Sequence, residues 1–342
     1  MDNFIRPDDP LATLINEKGK ELYSHLQVLP VEKLGMPVQC LNYYLKSHHH
    51  RLFFSVETSA RLLYRSLKKY GKVPEGLVIM DYGAGVGTLY MLAHMIGCRV
   101  VYNDLLEEWK ISAQLIAHAC GITIDEYIVG DIDATLQILS TKKISCNIIT
   151  SRNVIEHIYK LEDFYNSIHE QQPQSTVYSS TTANYYNPAA LVQHIRWHRK
   201  CERRYLKQRA VLIRKRLPEI SAADEKKLAR ATRGLAVQDL DNAIRDFTKG
   251  ILPVPTKYFT NTCDPSNGVW AEHLLTFKQY REAINEKHFK ITFQPGFWDT
   301  HYAGSLKSAM GKAFNRIINT GGKKAFRLAP FIYVIAEPLS NK

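Results

Sequence analysis

Residues 77–88 read Leu77-Val78-Ile79-Met80-Asp81-Tyr82-Gly83-Ala84-Gly85-Val86-Gly87-Thr88, and this stretch decides the fold. A short β-rich run, 77 to 81, meets three glycines in five residues, and a helical pattern follows from Thr88 to a stop at Gly97. The glycines therefore fall at a strand-to-helix turn at the carboxyl end of a strand, where open α/β sheets bind ligands. Without a Cβ they let the backbone turn sharply and approach a ligand closely. A dinucleotide fingerprint would place its third glycine at position 88, which is threonine here, so no pyrophosphate cradle is spelled out. An acid two residues before the first glycine suits a cationic ligand instead. Alone, the turn reads equally well as a tight βα connection; its surroundings give it weight.

Outward from it, "RVVYN" (99–103), "EYIVG" (126–130), "CNIITS" (146–151) and "TVYSST" (176–181) read as further strands. Helical patterns run from Leu105 to Gly121 and from Leu161 to Gln171, before Pro173. Strands alternating with helices predict βαβ units and a parallel sheet. After Asn184 the composition changes. Asn187-Pro188 makes a good helix start, with no breaker until Pro218; Ser221 with Asp224 resembles a second cap, and a third helix covers Asp239 to Lys249. Residues 194–257 hold 17 Lys+Arg and 7 Asp+Glu, so this segment carries +10 of the chain's net +12. The α/β pattern resumes with a helix over 275–289, a strand "FKITFQ" (289–294) and a last buried strand "FIYVIAE" (331–337). Between those strands, 301–330, with Gly304 and Gly311, predicts a helix-containing connection; residues 1–75 are mainly helical, clearest over 55–71.

The chain has 342 residues, 45% hydrophobic and 23% charged, which excludes wholesale disorder and collagen-like or coiled-coil architecture. "MDNFIRPDDP" carries three Asp and two Pro where a secretory signal needs a basic start and an apolar stretch. No run reaches the roughly 18 apolar residues of a spanning helix. Six scattered cysteines form no CxxC pair and read as reduced and structural, so a cytoplasmic protein is expected.

At this point the sequence resembles the class I S-adenosylmethionine-dependent methyltransferases, whose first motif is acidic-x-G-x-G-x-G after the first strand. Asp104 ends the second strand 21 residues after Gly83, and Gly130-Asp131-Ile132 ends the third. "NIITSRNVIEHI" ends the fourth and is similar to the V-x-E-H-I/V stretch of the subgroup containing the ubiquinone-pathway O-methyltransferases; "GVWAEHLLTFKQYREAINEKHFKITFQPGFW" resembles that subgroup's later helix and strand. The likeness covers roughly 76–185 and 265–340. It implies a Rossmann-like, seven-stranded, mostly parallel sheet with helices on both faces. The organisation expected is an N-terminal helical cover (1–75), a cofactor-binding core (76–186), a basic helical insertion (187–260) and the C-terminal part of the core (261–342).

The cofactor implied is S-adenosyl-L-methionine, with Asp81, Gly83, Gly85, Gly87, Asp104, Asp131, Ile132 and Arg152 as its site: Asp104 accepts from the ribose hydroxyls, and the third strand's end touches the adenine. Methyl transfer is an in-line displacement in which positioning supplies much of the acceleration. For a hydroxyl acceptor a histidine base helps, and the resemblance puts His157 and His273 over the methyl. Each reads equally well as structural, His157 as a helix cap and His273 as an ordinary partly exposed residue. In relatives such as small-RNA 3′-end ribose methyltransferases an E-x-x-E-H stretch ligates a divalent ion. The matching residues here are Asn153, Glu156 and His157, and the lost carboxylate argues against metal.

The basic insertion has three readings: a solvated lid, a clamp for an anionic, phosphorylated or lipid-linked acceptor through Arg203, Arg204, Lys207 and Arg209, or a nucleic-acid surface. His48-His49-His50 reads as a polar face or substrate-entry loop, and Asn184, Tyr185 and Tyr186 as acceptor-pocket candidates or a plain turn. The function expected is methylation of a small or medium-sized acceptor, oxygen favoured over nitrogen. The alternatives are an RNA ribose methyltransferase and a non-catalytic S-adenosylmethionine-binding protein.

Overall fold

Seven strands make one sheet: β1 (Val78–Tyr82), β2 (Arg99–Asp104), β3 (Glu126–Val129), β4 (Ile148–Arg152), β5 (Thr176–Thr181), β6 (Phe289–Pro295) and β7 (Ile332–Pro338). Their order is β3-β2-β1-β4-β5-β7-β6, parallel from β3 to β5, with β7 antiparallel to both neighbours. This is the Rossmann-like methyltransferase arrangement expected from the sequence. The computed structural model describes residues 1–70, 74–254, 261–301 and 305–339; the expected insertion end at 260, Gly71 and Gly304 lie outside them.

Strand side chains alternate between faces with period two, and each strand feeds two cores. Ile79, Val100, Ile148 and Tyr178 pack on one face; their neighbours Met80, Val101, Ile149 and Val177 pack on the other. The first face is covered by α1 (Pro10–Val28), α3 (Leu52–Lys68), α4 (Leu89–Met95) and α5 (Glu107–Ala119). The second is covered by α6 (Ile132–Thr141), α7 (Leu161–Gln171) and α11 (Phe277–Ile284). Between α1 and α3 the chain forms α2 (Val38–Tyr43), a π-helical turn over Tyr44–His48 and a 3₁₀ turn over His49–Arg51. Such π turns recur at functional sites. Sheet order reverses between β1 and β4, and the turn after β1 opens at that switch point.

The segment after β5 folds into α8 (Pro188–Arg216), α9 (Ala222–Ala231) and α10 (Val237–Thr248). Asn187 caps α8, accepting from the amides of Ala189 and Ala190 at 3.0 and 3.2 Å, and the Ser221 side chain accepts from the Asp224 amide to cap α9. These helices share a small core of Ile213, Leu228, Ala229, Leu240 and Ile244. Part of the basic charge is spent on ion pairs within this segment. Arg209, expected to reach an acceptor, is fully buried, donates to Ala229 O at 2.9 Å and pairs with Glu202; Arg214 pairs with Glu225 and Arg216 with Asp241. Helices α12 (Ser305–Asn319) and α13 (Lys323–Leu328) lie between β6 and β7.

Candidate functional site

Each glycine of the turn has its own reason. Gly83 and Gly85 have φ of +65° and +53°, a region other residues enter at a cost, and a Cβ on Gly83 would lie 2.6 Å from Val154 Cγ2. A Cβ on Gly87 would lie 2.9 Å from Ala84 O and 3.0 Å from Arg152 Nη2. The loop is tied to the end of β2. The Ala84 amide donates to Asn103 O at 2.9 Å and the Gly85 amide to Asp104 Oδ2 at 3.0 Å, while Leu106 N donates to Asp104 Oδ1 at 3.1 Å. Beneath it, the Asn103 amide nitrogen donates to Thr135 Oγ1 at 2.8 Å and Gly130 O at 3.1 Å.

The turn forms one wall of a cleft of about 870 Å³. Trp109, from the first turn of α5, lies beside Gly85, with Tyr43 edge-on to it at 5.2 Å between ring centroids. Arg152, at the end of β4, is held from across the sheet by α3: its Nη1 donates to Ser55 O (3.0 Å), Thr58 Oγ1 (2.7 Å) and Ser59 Oγ (3.0 Å). His48 lines the same wall, and burial, with the Arg152 charge adding to it, pushes its imidazole down to about 3, so it is neutral at pH 7. Burial pushes the Asp81 carboxyl up to about 7, with Arg152 and Thr150 pulling it down.

An acid whose folded pKa exceeds its unfolded value adds stability that is complete below the unfolded value and lost as pH rises through the folded one. Wild type should therefore lose ground against Asp81→Asn between about pH 4 and about pH 7, at most about 1.4 kcal/mol per pH unit, and the gap should level off above that. Urea midpoints of both proteins across this range check it; a gap independent of pH would show that Asp81 stays ionised in the fold.

The opposite wall comes from β4's exit, α8 and the segment before α11. His157 Nδ1 lies 2.7 Å from Trp270 O. A carbonyl only accepts, so Nδ1 carries the proton and Nε2 is the basic nitrogen. His194 of α8 has Nδ1 2.7 Å from Ala190 O and Nε2 against the Glu272 carboxylate, so both nitrogens face acceptors. Burial depresses the His194 pKa, but the Glu272 bond and the Ala190 carbonyl outweigh it and raise it above the ordinary histidine value. Asn153 and Glu272 line the cleft with φ of +56° and +55°. Non-glycine residues held there cost roughly 1–3 kcal/mol each and cluster at functional sites. Glu156, next to His157, is 1% exposed with both carboxylate oxygens unpartnered among the described residues, and burial pushes its carboxyl up to about 7.

No family model matches the chain, and no curated protein matches it. Solved structures resemble it at low identity. An S-adenosylmethionine dependent methyltransferase from Mesorhizobium loti is 16% identical over 81% of this chain and 97% of that one, with a TM-score of 0.39. A putative S-adenosylmethionine dependent methyltransferase from Listeria monocytogenes is 13% identical over 82% and 100%, with a TM-score of 0.40. A ribosomal protein L11 methylase from Lactobacillus delbrueckii subsp. bulgaricus is 18% identical over 36% of this chain, which spans 60% of its length, with a TM-score of 0.29. Resemblance of this depth carries nothing about chemistry, which has to be read from the cleft.

Of the residues singled out in the sequence, Asp81, Gly83, Gly85, Gly87, Asp104, Arg152 and His157 line one cleft. Asp131 and Ile132 are not among its lining residues: Asp131 caps α6, accepting from the Ala134 amide at 3.0 Å, and Ile132 packs in the core beneath. His273 is outside as well, its ring stacked on Trp270 at 3.9 Å and its pKa pushed down to about 3 by burial. Asn184, Tyr185 and Tyr186 do not line the cleft; Asn184 Nδ2 donates to Phe326 O and Ala329 O, each at 2.8 Å, and Tyr186 takes the Phe277 amide. Sequence reading missed Trp109, the Ser55/Thr58 clamp and the His194–Glu272 pair. Only His194 left a trace, standing four residues after Ala190 and four before His198, so that the two histidines share one face of a capped helix. Among the described residues no group of three or more His, Cys, Asp or Glu side chains is placed to hold a metal ion, and no helix is long and apolar enough to cross a membrane.

Proposed function

We propose that this chain is an S-adenosylmethionine-dependent methyltransferase acting on a hydroxyl of a small or medium-sized acceptor. The observation that carries the reading is that His157, with its Nε2 basic, lines the same cleft as the glycine turn and Asp104. The residues present fit the cofactor. An ionised carboxylate offers about four acceptor positions, and Asp104 spends two on Gly85 N and Leu106 N, leaving capacity for a ribose diol. Trp109 offers an aromatic surface to the adenine, which in this reading does not need Asp131 or Ile132. Arg152 suits the carboxylate of the amino-acid end, and Asp81, ionised beside a cation, suits its ammonium or sulfonium.

At about 870 Å³ the cleft is near the top of the usual ligand-pocket range, about 300–1,000 Å³, which leaves room for an acceptor beside the cofactor. Bound there, S-adenosylmethionine supplies an electrophilic methyl on a sulfonium. His157 Nε2, the ring nitrogen left free to accept, would take the proton of an acceptor hydroxyl held in the cleft. The Trp270 carbonyl fixes the ring, and the buried Glu156 beside it stabilises the imidazolium that results. The acceptor side is lined by Trp197, Trp298, Phe331 and Gln193; Arg51, which also lines the cleft, lies 3.8 Å from the Asp299 carboxylate, and no Lys or Arg of α8, α9 or α10 lines it. That composition favours a neutral hydroxyl compound over a phosphorylated one.

Calorimetric titration with S-adenosylmethionine, followed by transfer of labelled methyl into a metabolite extract, tests the proposal. Binding and incorporation into a small molecule are expected. Absence of binding removes the cofactor, binding without transfer leaves a non-catalytic binder, and label in ribose of RNA moves the acceptor to nucleic acid.

A further inference from the structure

Antiparallel neighbours such as β6 and β7 can be joined by a two-residue turn. The chain instead spends residues 296–331 on this connection, with α12 and α13 inside it, which the sheet itself does not require. One face of α12 is committed to the fold. A Cβ on Gly311 would lie 2.7 Å from Asp299 O, Phe314 packs on Trp298 with centroids 5.7 Å apart, and Ile318 is buried with Ala325 and Ala329. Asn315 clasps Trp298, accepting from its amide at 2.7 Å and donating to its carbonyl at 2.9 Å. Trp298 and Asp299 both line the cleft, so α12 is fixed to the cleft wall.

The other face points at solvent and is apolar. Leu306, Met310 and Ile317 are 74%, 50% and 45% exposed, and Ala313 is exposed between them. Spacings of four, three and four put all four side chains on one stripe, about 17 Å long. Around it the charge is one-sided: residues 301–330 hold six Lys+Arg, among them Lys307, Lys312 and Arg316, and no Asp or Glu.

We propose that α12 is an interfacial helix that docks the protein on an anionic lipid surface. Leu306, Met310 and Ile317 enter the boundary between headgroups and acyl chains, and the cations beside them meet the headgroups. Charge complementarity selects this occupant. A second copy on the same stripe would set basic face against basic face, and a nucleic acid would leave the three apolar side chains in water. The proposal holds whether or not the cleft transfers methyl groups.

Flotation of the full chain with phosphatidylcholine vesicles, with and without about a third phosphatidylserine, tests it. Binding to the anionic vesicles alone is expected, weakening as salt rises. The triple variant Leu306→Ser, Met310→Ser, Ile317→Ser should lower bound protein about tenfold or more, with its thermal midpoint unchanged. Should that variant misfold, Lys307→Gln, Lys312→Gln, Arg316→Gln decides the matter, since it alters only exposed charges; it should also bind several-fold less. Equal binding to neutral vesicles, no vesicle binding at all, or wild-type binding by the correctly folded variants would overturn the proposal. In the last case the basic insertion would be the carrier; a dimer lost in the serine variant, with no lipid binding, would assign the face to a second copy.

Discussion

Asp104→Ala is expected to weaken S-adenosylmethionine binding about 10- to 150-fold, read by calorimetry. A hydrogen bond to a charged group is worth about 1.5–3 kcal/mol, and every 1.4 kcal/mol is a factor of ten. The carboxylate works twice in this fold. It accepts from Gly85 N and Leu106 N, fixing the glycine turn, and it keeps acceptor capacity toward the cleft. Burial raises its pKa, and the amides of Leu106, Gly85 and Leu105 counter that by favouring the ionised form. Asp104→Asn separates the two roles: its amide oxygen can accept from one backbone amide but lacks the charge, so affinity between wild type and alanine is expected. Equal affinity for wild type and Asp104→Ala would take this residue away from the ribose.

Why the strand ends could be read in advance, and the cleft's other half could not, comes down to the range of the interactions. Feeding two cores at once imposes near-continuous apolar runs on β1, β2 and β4, and Gly97 and Gly121 mark the ends of α4 and α5, so these features are local. Edges shift by a residue or two where a side chain intervenes: β4 was expected from Cys146, but the Cys146 amide donates to Gln172 Oε1 at 2.9 Å, and the strand begins at Ile148. Helix α6 is masked in the sequence, although Ile132, Leu136 and Leu139 have helical spacing, because it fills a short gap between two stronger strand patterns.

Arg152 meets Ser55 and Thr58 across more than ninety residues, and His194 meets Glu272 across 78; both depend on how helices dock on the sheet, which no periodicity encodes. The insertion's charge shows the same limit. Counting gives +10 over 194–257, but only the fold tells that Arg209 is sealed inside with Glu202 while Arg203 and Lys207 face solvent.

His157→Ala is expected to lower kcat by about 10² to 10⁴ while leaving S-adenosylmethionine affinity nearly unchanged, because general-base catalysis contributes about that much and the ring's hydrogen bond is to a protein carbonyl. His157→Gln is the stricter variant. Its amide nitrogen can still donate to Trp270 O and preserve the local packing, but its oxygen is far too weak a base, so it should be nearly as slow as alanine; recovery of turnover would make the role positional. His273→Ala is the matched control. That ring stacks on Trp270 outside the cleft and is held neutral by burial, so its removal should disturb folding more than kcat. A strong chelator should leave wild-type turnover intact. If chelation abolishes turnover and magnesium restores it, Glu156 and His157 become ligands instead of neighbour and base, and the unpartnered carboxylate oxygens of Glu156 acquire a different explanation. If neither chelation nor His157→Ala slows the reaction, the acceptor is a nitrogen, whose neutral amine needs no base to attack.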